Sequence, residues 1–477
     1  MSWPNPFRRI DENTRHAWGY TFQWTPQHIT PEDMHHMKFS YDTLGEECLN
    51  RLDELSPPTT GEIPRNRSRF PSKDTSEPTP KRDLYALLRD NASSDEKLGE
   101  LWKEVNTIPD WVDWDQIARG QDVFYRYGGV AFTALAYQSL LGGMGAARVS
   151  EVLARTGGFS TKVAKARMYE TTQHILQVTR SLEAIQPGGE GHASTIRVRL
   201  LHAAVRRRIL ALAKEKPSYY SVADFGIPIN DLDSIGTIST FSSTLIWVGF
   251  PRQGIWLRQQ EILDYLALWR LVAYYVGTPE EHFATPESAK AIMESLLISE
   301  IQPSEMSRVL ANNIILSLQG QPPAYVSRDF LNASARWLNG DELADELGLG
   351  KPSLYYKALV AGQCLFFVCL CYSNRSVASW DRKHIKALRR IFYHVIVENK
   401  AHGLGEETNF EFKYIPSLDS TTSMGDYVST GKESEVERRN LQAFVIGSTI
   451  MGLLSYIGLR ITWGAFGGLR ALWTSRI

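Results

Sequence analysis

From about residue 83 to about residue 300, apolar side chains recur at three- and four-residue steps. The segments DLYALLRD, WDQIARGQDVFYRYGGVAFTALAYQSLLGGMG, TKVAKARMYETTQHILQVTRSLEAI, TIRVRLLHAAVRRRILALA and RQQEILDYLALWRLVAYYVG all carry the pattern, with glycine pairs between them. Sustained alternation of the strand type is scarce. Each such segment presents one apolar stripe that must be buried against another helix, which makes the expected fold all-α. The glycines of GGMGAAR (Gly142 to Arg148) read as a helix break, because no apolar strand run precedes them and no lysine follows as in a phosphate loop.

The chain has 477 residues, 43% hydrophobic and 22% charged, enough to bury one large core with appended segments. Its formal net charge of -1 supplies no global field for nucleic acid, so no nucleic-acid partner is expected. Four cysteines are too few for a disulfide scaffold, and three lie in the apolar run LVAGQCLFFVCLCY, where they read as packed thiols in a reducing compartment. That run itself reads as a core helix in preference to a second membrane span. The first twenty residues contain no apolar core of a secretory signal.

Four segments are expected: an N-terminal arm at 1–55 that docks on the main body, irregular ahead of the helically spaced leucines of Tyr41 to Leu55, a disordered linker at 56–82, a helical body at 83–430 and an apolar helix at 441–459. The linker, SPPTTGEIPRNRSRFPSKDTSEPTPKR, has almost no apolar side chains to offset the entropy of ordering it. The last segment, LQAFVIGSTIMGLLSYIGL, has no charge, and at about 1.5 Å per residue it nearly crosses a hydrocarbon layer of roughly 30 Å. A membrane anchor is the preferred reading; a buried terminal core helix would also suit its many small residues. An anchor so near the end leaves the main domain in the cytosol.

Most of the eleven histidines keep ordinary company. His35, His36, His282, His384 and His402 lie in polar or charged surroundings and read as surface or cap residues, and no zinc spacing is present. His202 differs. On a helix it lies three residues after Arg199 and four before Arg206, among small apolar side chains that let a flat ligand approach. A neutral imidazole there is either a satisfied core histidine or an axial ligand of haem iron, with Arg199 and Arg206 available to the propionates. Upstream, Arg167, Thr171 and His174 share a helix face; a buried arginine needs a partner, either a cofactor carboxylate or a glutamate in a structural ion pair. Glu151 is available as that partner or as a base.

The ordered motifs RGQDVFYRYGGVAFTALAYQSLL, VLARTGGFS, RMYET, VRLLHAAVR, FGIPINDLD and WRLVAYYVGTPEE resemble the catalytic domain shared by bacterial rubber oxygenases (latex-clearing proteins) and the fungal ER-bound oxygenase that shortens a farnesyl chain. The resemblance runs from Trp111 to about Gly277. It implies a globin-like, all-helical domain around haem b, with His202 matching the proximal iron ligand, Arg167 and Thr171 its paired polar residues, and Glu151 a glutamate proposed as the base. Where rubber enzymes can carry a distal lysine, this chain has Glu170. The implied protein is a haem-dependent oxygenase using dioxygen on an apolar, alkene-bearing small molecule (prenyl, terpenoid or polyketide-type), tethered to a membrane such as the endoplasmic reticulum. The alternative is a non-catalytic, membrane-associated helical protein that binds haem or lipid.

Overall fold

A computed structural model of the chain describes residues 10–58, 82–409, 416–418, 422–426 and 434–474. Most of the 56–82 stretch expected as a linker lies outside the described residues. The body is built from α1 (Thr43–Leu55), α2 (Leu84–Asn91), α3 (Glu96–Asn106) and α4 (Trp114–Arg126). Then come α5 (Ala147–Thr156), α6 (Ala164–Thr179), α7 (Glu190–Glu215), α8 (Asp231–Phe241) and α9 (Gln259–Val276). Next are α10 (Pro286–Ser299), α11 (Glu305–Leu318) and α12 (Arg328–Asn339). The chain closes with α13 (Leu354–Ser376), α14 (Ala378–Tyr393) and α15 (Glu435–Thr474). The all-α expectation holds.

Many of these helices start where the sequence supplies an acceptor for their orphan N–H groups. The carboxylates of Asp42, Asp83, Asp95 and Asp113 accept from the first turns of α1 to α4, and Ser304 and Ser327 do the same for α11 and α12. Gly157 and Gly277, at φ 68° and 74°, terminate α5 and α9 in the left-handed conformation that suits glycine.

The arm departs from expectation. In place of irregular backbone it folds into an antiparallel hairpin, β1 (Thr14–Ala17) and β2 (Tyr20–Gln23), with Ala17 opposite Tyr20. Both turn residues, Trp18 and Gly19, have positive φ (52° and 71°), the geometry of a two-residue hairpin loop. It does dock as expected: Trp18 donates to the Leu297 carbonyl at 3.1 Å, and Tyr20 and His28 meet the buried Glu294 carboxylate at 2.7 and 2.9 Å.

The core is organised on α4 packed against α9. Gly120 makes this possible, because a Cβ there would lie 2.2 Å from the Asp264 carbonyl oxygen. The close approach buries Phe124, Tyr125, Tyr127, Tyr265 and Trp269 almost completely, with Trp269 stacked on Phe241 at 5.0 Å. A helix from Gly128 runs into a π-helical stretch, Leu135–Gly142, which packs on a second one, Leu245–Gly249. The first ends at the GGMG glycines, so the expected break is there.

Two side-chain expectations need correction. Cys369 is exposed, unlike the buried Cys48 and Cys371, because the outer face of α13 carries no covering helix at that point. His282 and His384 are half-buried, their titration pushed down chiefly by desolvation.

His192 is fully buried between the Val105 carbonyl (2.8 Å) and the Gly188 N–H (3.2 Å), and burial pushes its pKa down to about 4. The unfolded chain therefore takes up a proton that the folded one refuses as the pH falls from about 6.5 towards 4. Stability should drop with acidity in that window by about 1.4 kcal/mol per pH unit for this residue. Urea midpoints measured against pH should show a shallower slope for His192→Gln than for the parent chain.

Candidate functional site

The 26-residue helix α7 is the spine of the site, packed against α6, α1 and α9. His202 lies near its middle. Burial first, then the Arg206 and Arg167 cations, push its pKa down to about 4 against the opposing pull of Asp42, so the ring is neutral at physiological pH. The residue keeps some accessible surface although burial dominates its titration.

Two other buried histidines sit on α6 and α7, and both are satisfied. His174 shares a hydrogen bond with Ser194 at 2.9 Å, and His192 is held from both sides. His202 has no hydrogen-bond partner among the described residues. Its electrostatic neighbours identify the surrounding wall: Arg167 and His174 from α6 and Arg206 from α7.

Arg167 donates to Glu170 at 2.9 Å, an ion pair within α6 whose carboxylate is almost fully buried. Thr171 keeps an exposed side chain and donates to the Arg167 carbonyl at 3.2 Å. Glu151 stands on α5, which reaches the same part of α7 through contacts of Val152 with the cluster of Val205, Ile209 and Leu201. Its carboxylate is held by Arg155 one turn on, and Arg155 also donates to the Tyr219 carbonyl at 2.7 Å. Glu151 pairs with Arg155 in the structure, and Arg167 pairs with Glu170.

Arg199 and Arg206 are the sequence candidates whose surroundings differ most from the expected ones. Arg199, 3% exposed, makes a two-pronged contact with Asp42 (both 2.8 Å) and donates to Glu104 at 2.7 Å. Arg206 donates to the Asp42, Pro228 and Ile229 carbonyls at 3.2–3.3 Å and stacks on Tyr41 at 4.4 Å. With their donors turned to the arm and to the loop before α8, neither is directed at a propionate in this structure. Asp42 and Glu104 were invisible as partners in the sequence, where they lie 157 and 95 residues from Arg199. Glu170 and Arg155, at helical spacing from Arg167 and Glu151, were legible.

Fold and site thus define an all-helical domain arranged round a neutral imidazole enclosed by cations. Residues 125–365 match the family described as ER-bound oxygenase mpaB/B'/rubber oxygenase, catalytic domain, and the chain belongs to this family. Glu151, Arg167, Thr171 and His202 all fall inside the matched stretch. A rubber oxygenase of Streptomyces sp. (strain K30) is 24% identical over 264 residues, which cover 53% of this chain and 61% of that relative's length. A solved structure of latex clearing protein in the closed state superposes with a TM-score of 0.53 at 19% identity, covering 78% of this chain and 95% of that one. At that identity the likeness is one of fold.

Because Arg199 is buried against the largely buried Asp42 carboxylate, its removal strands that group. Arg199→Ala should cost about 3–5 kcal/mol in urea unfolding. Arg89→Ala, which breaks an exposed pair with Asp90, should leave the midpoint in place.

Proposed function

We propose that the chain is a membrane-tethered, haem-dependent oxygenase that cleaves a carbon–carbon double bond in an apolar, alkene-bearing substrate of prenyl, terpenoid or polyketide type. The observation that supports this reading is His202: neutral, enclosed and without a hydrogen-bond partner among the described residues. A neutral imidazole lone pair is what a histidine that would hold haem iron requires. The residues present therefore fit haem b, with His202 as metal ligand and Arg167 and Thr171 beside the cofactor. Arg199 and Arg206 have a bracing role in this reading, holding the helix that carries His202.

Haem, when bound, supplies the iron that activates dioxygen. Glu151 takes an allylic proton at its carboxylate and returns it to the product, while Arg155 holds that carboxylate in register. Glu170 holds Arg167, and a carboxylate at the position of the distal lysine leaves that side without an amine ligand. Both dioxygen atoms enter the product, the double bond breaks, and two carbonyl ends form with no external electrons consumed. Residues 83–430 form the catalytic body in this reading and 1–55 an arm that closes it.

Of the two readings of the C-terminal segment, the buried core helix is disfavoured by the exposed side chains of Val445, Ile446, Ile450, Met451, Leu453, Leu454, Tyr456 and Ile457. Glu435–Gly458 is long and apolar enough to cross a membrane. So is Leu354–Ser376, but a third of it is buried, as a core helix would be. The first turns of α15 belong to the body: Asn440 is buried against Gln363, and Phe444 packs on Gly362. We assign the outer part as the anchor, with the endoplasmic reticulum as the membrane and the body on its cytosolic side.

Purified protein supplemented with haem should show a Soret band that His202→Ala abolishes or shifts; an unchanged band would remove His202 as the ligand. Glu151→Gln should keep the band yet lower oxygen uptake and carbonyl formation on prenylated substrates by about 10²–10⁴-fold. An intact band with no uptake across a broad alkene panel would instead identify a haem-binding protein without catalysis. A chain ending after Gly447 should leave the membrane pellet for the soluble fraction with its Soret band intact.

A further inference from the structure

Helix α14 carries two different faces. Its inner face holds the body: Asp381 pairs with Arg126 at 2.9 Å, Arg389 with Asp122 at 2.9 Å, and Ile385 and Tyr393 are buried. On the outer face Trp380, Ala387 and Ile391 form one apolar line at helical spacing, and Trp380 and Ile391 are 54% and 49% exposed. Beside this line, on one flank, stand Arg382, Lys383, Lys386 and Arg390, all exposed and none ion-paired within the described residues. In a chain of net charge -1, four free cations on one short helix are a local concentration of charge.

The apolar line continues beyond the helix. Val377, 40% exposed, joins α13 to α14. Trp256, 60% exposed, is fixed beside the last turn of α13, where its N–H donates to the Tyr372 hydroxyl (3.2 Å) and its carbonyl accepts from Arg375 (3.0 Å). Exposing two tryptophans to water is unfavourable, and a narrow apolar line edged by cations is the pattern of a helix lying in a headgroup layer. The surface adjoins α13, along which the first part of α15 packs.

We propose that α14, together with Trp256 and Val377, is a peripheral membrane-facing platform that rests on an anionic leaflet, the tryptophans and Ile391 entering the interface and the four cations meeting lipid phosphate and carboxylate groups. The inference relies on the tether proposed above only to bring a bilayer near. The platform gives the body a second line of contact with the surface beside the anchor helix, which fixes its orientation. Charge complementarity favours anionic lipid over a second copy of the chain, since the four cations would then need a carboxylate face of matching size.

The test uses the full chain with Cys364→Ser and Cys369→Ser, leaving the buried Cys48 and Cys371, so that an environment-sensitive fluorophore attaches at Ala387→Cys, or at Glu47→Cys on α1 as a water-exposed reference. The protein is reconstituted in phosphatidylcholine vesicles with or without phosphatidylserine. Label at 387 should shift to the blue and be quenched by shallow nitroxide lipids when phosphatidylserine is present. Lys383→Glu/Lys386→Glu/Arg390→Glu should return it to the level of the reference label. A 387 label that behaves like the reference in both vesicles, ignores the charge reversal, or crosslinks between copies in place of lipid quenching would overturn the proposal. Carbonate-resistant flotation of the same samples reports the tether separately: flotation without 387 quenching removes the platform alone. Salt-sensitive flotation with quenching keeps the platform and removes the tether.

Discussion

A single buried guanidinium ties the N-terminal part of the chain to the helix that carries the site. Arg199 lies inside the protein, and a charge there is tolerable only if its donors are met. Asp42 and Glu104 meet them, from the cap of α1 and from α3. The consequence is positional: two elements distant in sequence are bound to the middle of α7, one turn from His202. Arg206 strengthens the same joint through backbone carbonyls and Tyr41. The arginines flanking the imidazole thus act first on its support, and the positive charge of Arg206 helps to keep it neutral.

Neutrality alone does not separate His202 from its neighbours. Burial suppresses the charge of His174, His192 and His202 alike, each to about 4. For His174 and His192 the polar atoms are then used within the fold. For His202 the same desolvation leaves a lone pair that nothing among the described residues occupies. A fold maintains such a group at a cost unless a ligand completes it. The ion pairs Arg167–Glu170 and Glu151–Arg155 stand near it in short helical registers, so their geometry survives independently of any ligand.

The outer side of α13, α14 and α15 follows a different rule from the rest of the surface. Elsewhere exposed large apolar residues are scattered; here they gather along adjoining helices, with cations at the margin. The helices α13 and α14 that carry them meet at Val377.

The helical periodicity and the glycine break at GGMG could be read along the chain, because each depends on neighbours within one or two turns. His202, Arg167, Thr171 and Glu151 were legible as candidates for the same reason, reinforced by the order of the motifs around them. The hairpin was not, since Trp18 is a poor signal for a positive-φ turn and the docking partner Glu294 lies far away in sequence. Nor was the use made of Arg199 and Arg206: their spacing from His202 placed them correctly on the helix, but which acceptors saturate them depends on how α1 and α3 cross α7. The sequence by itself determined which residue types face which side of each helix. Only the tertiary structure decided which of those side chains found a partner, because a hydrogen bond or an ion pair is settled by distance in space and the chain brings those partners together only when it folds.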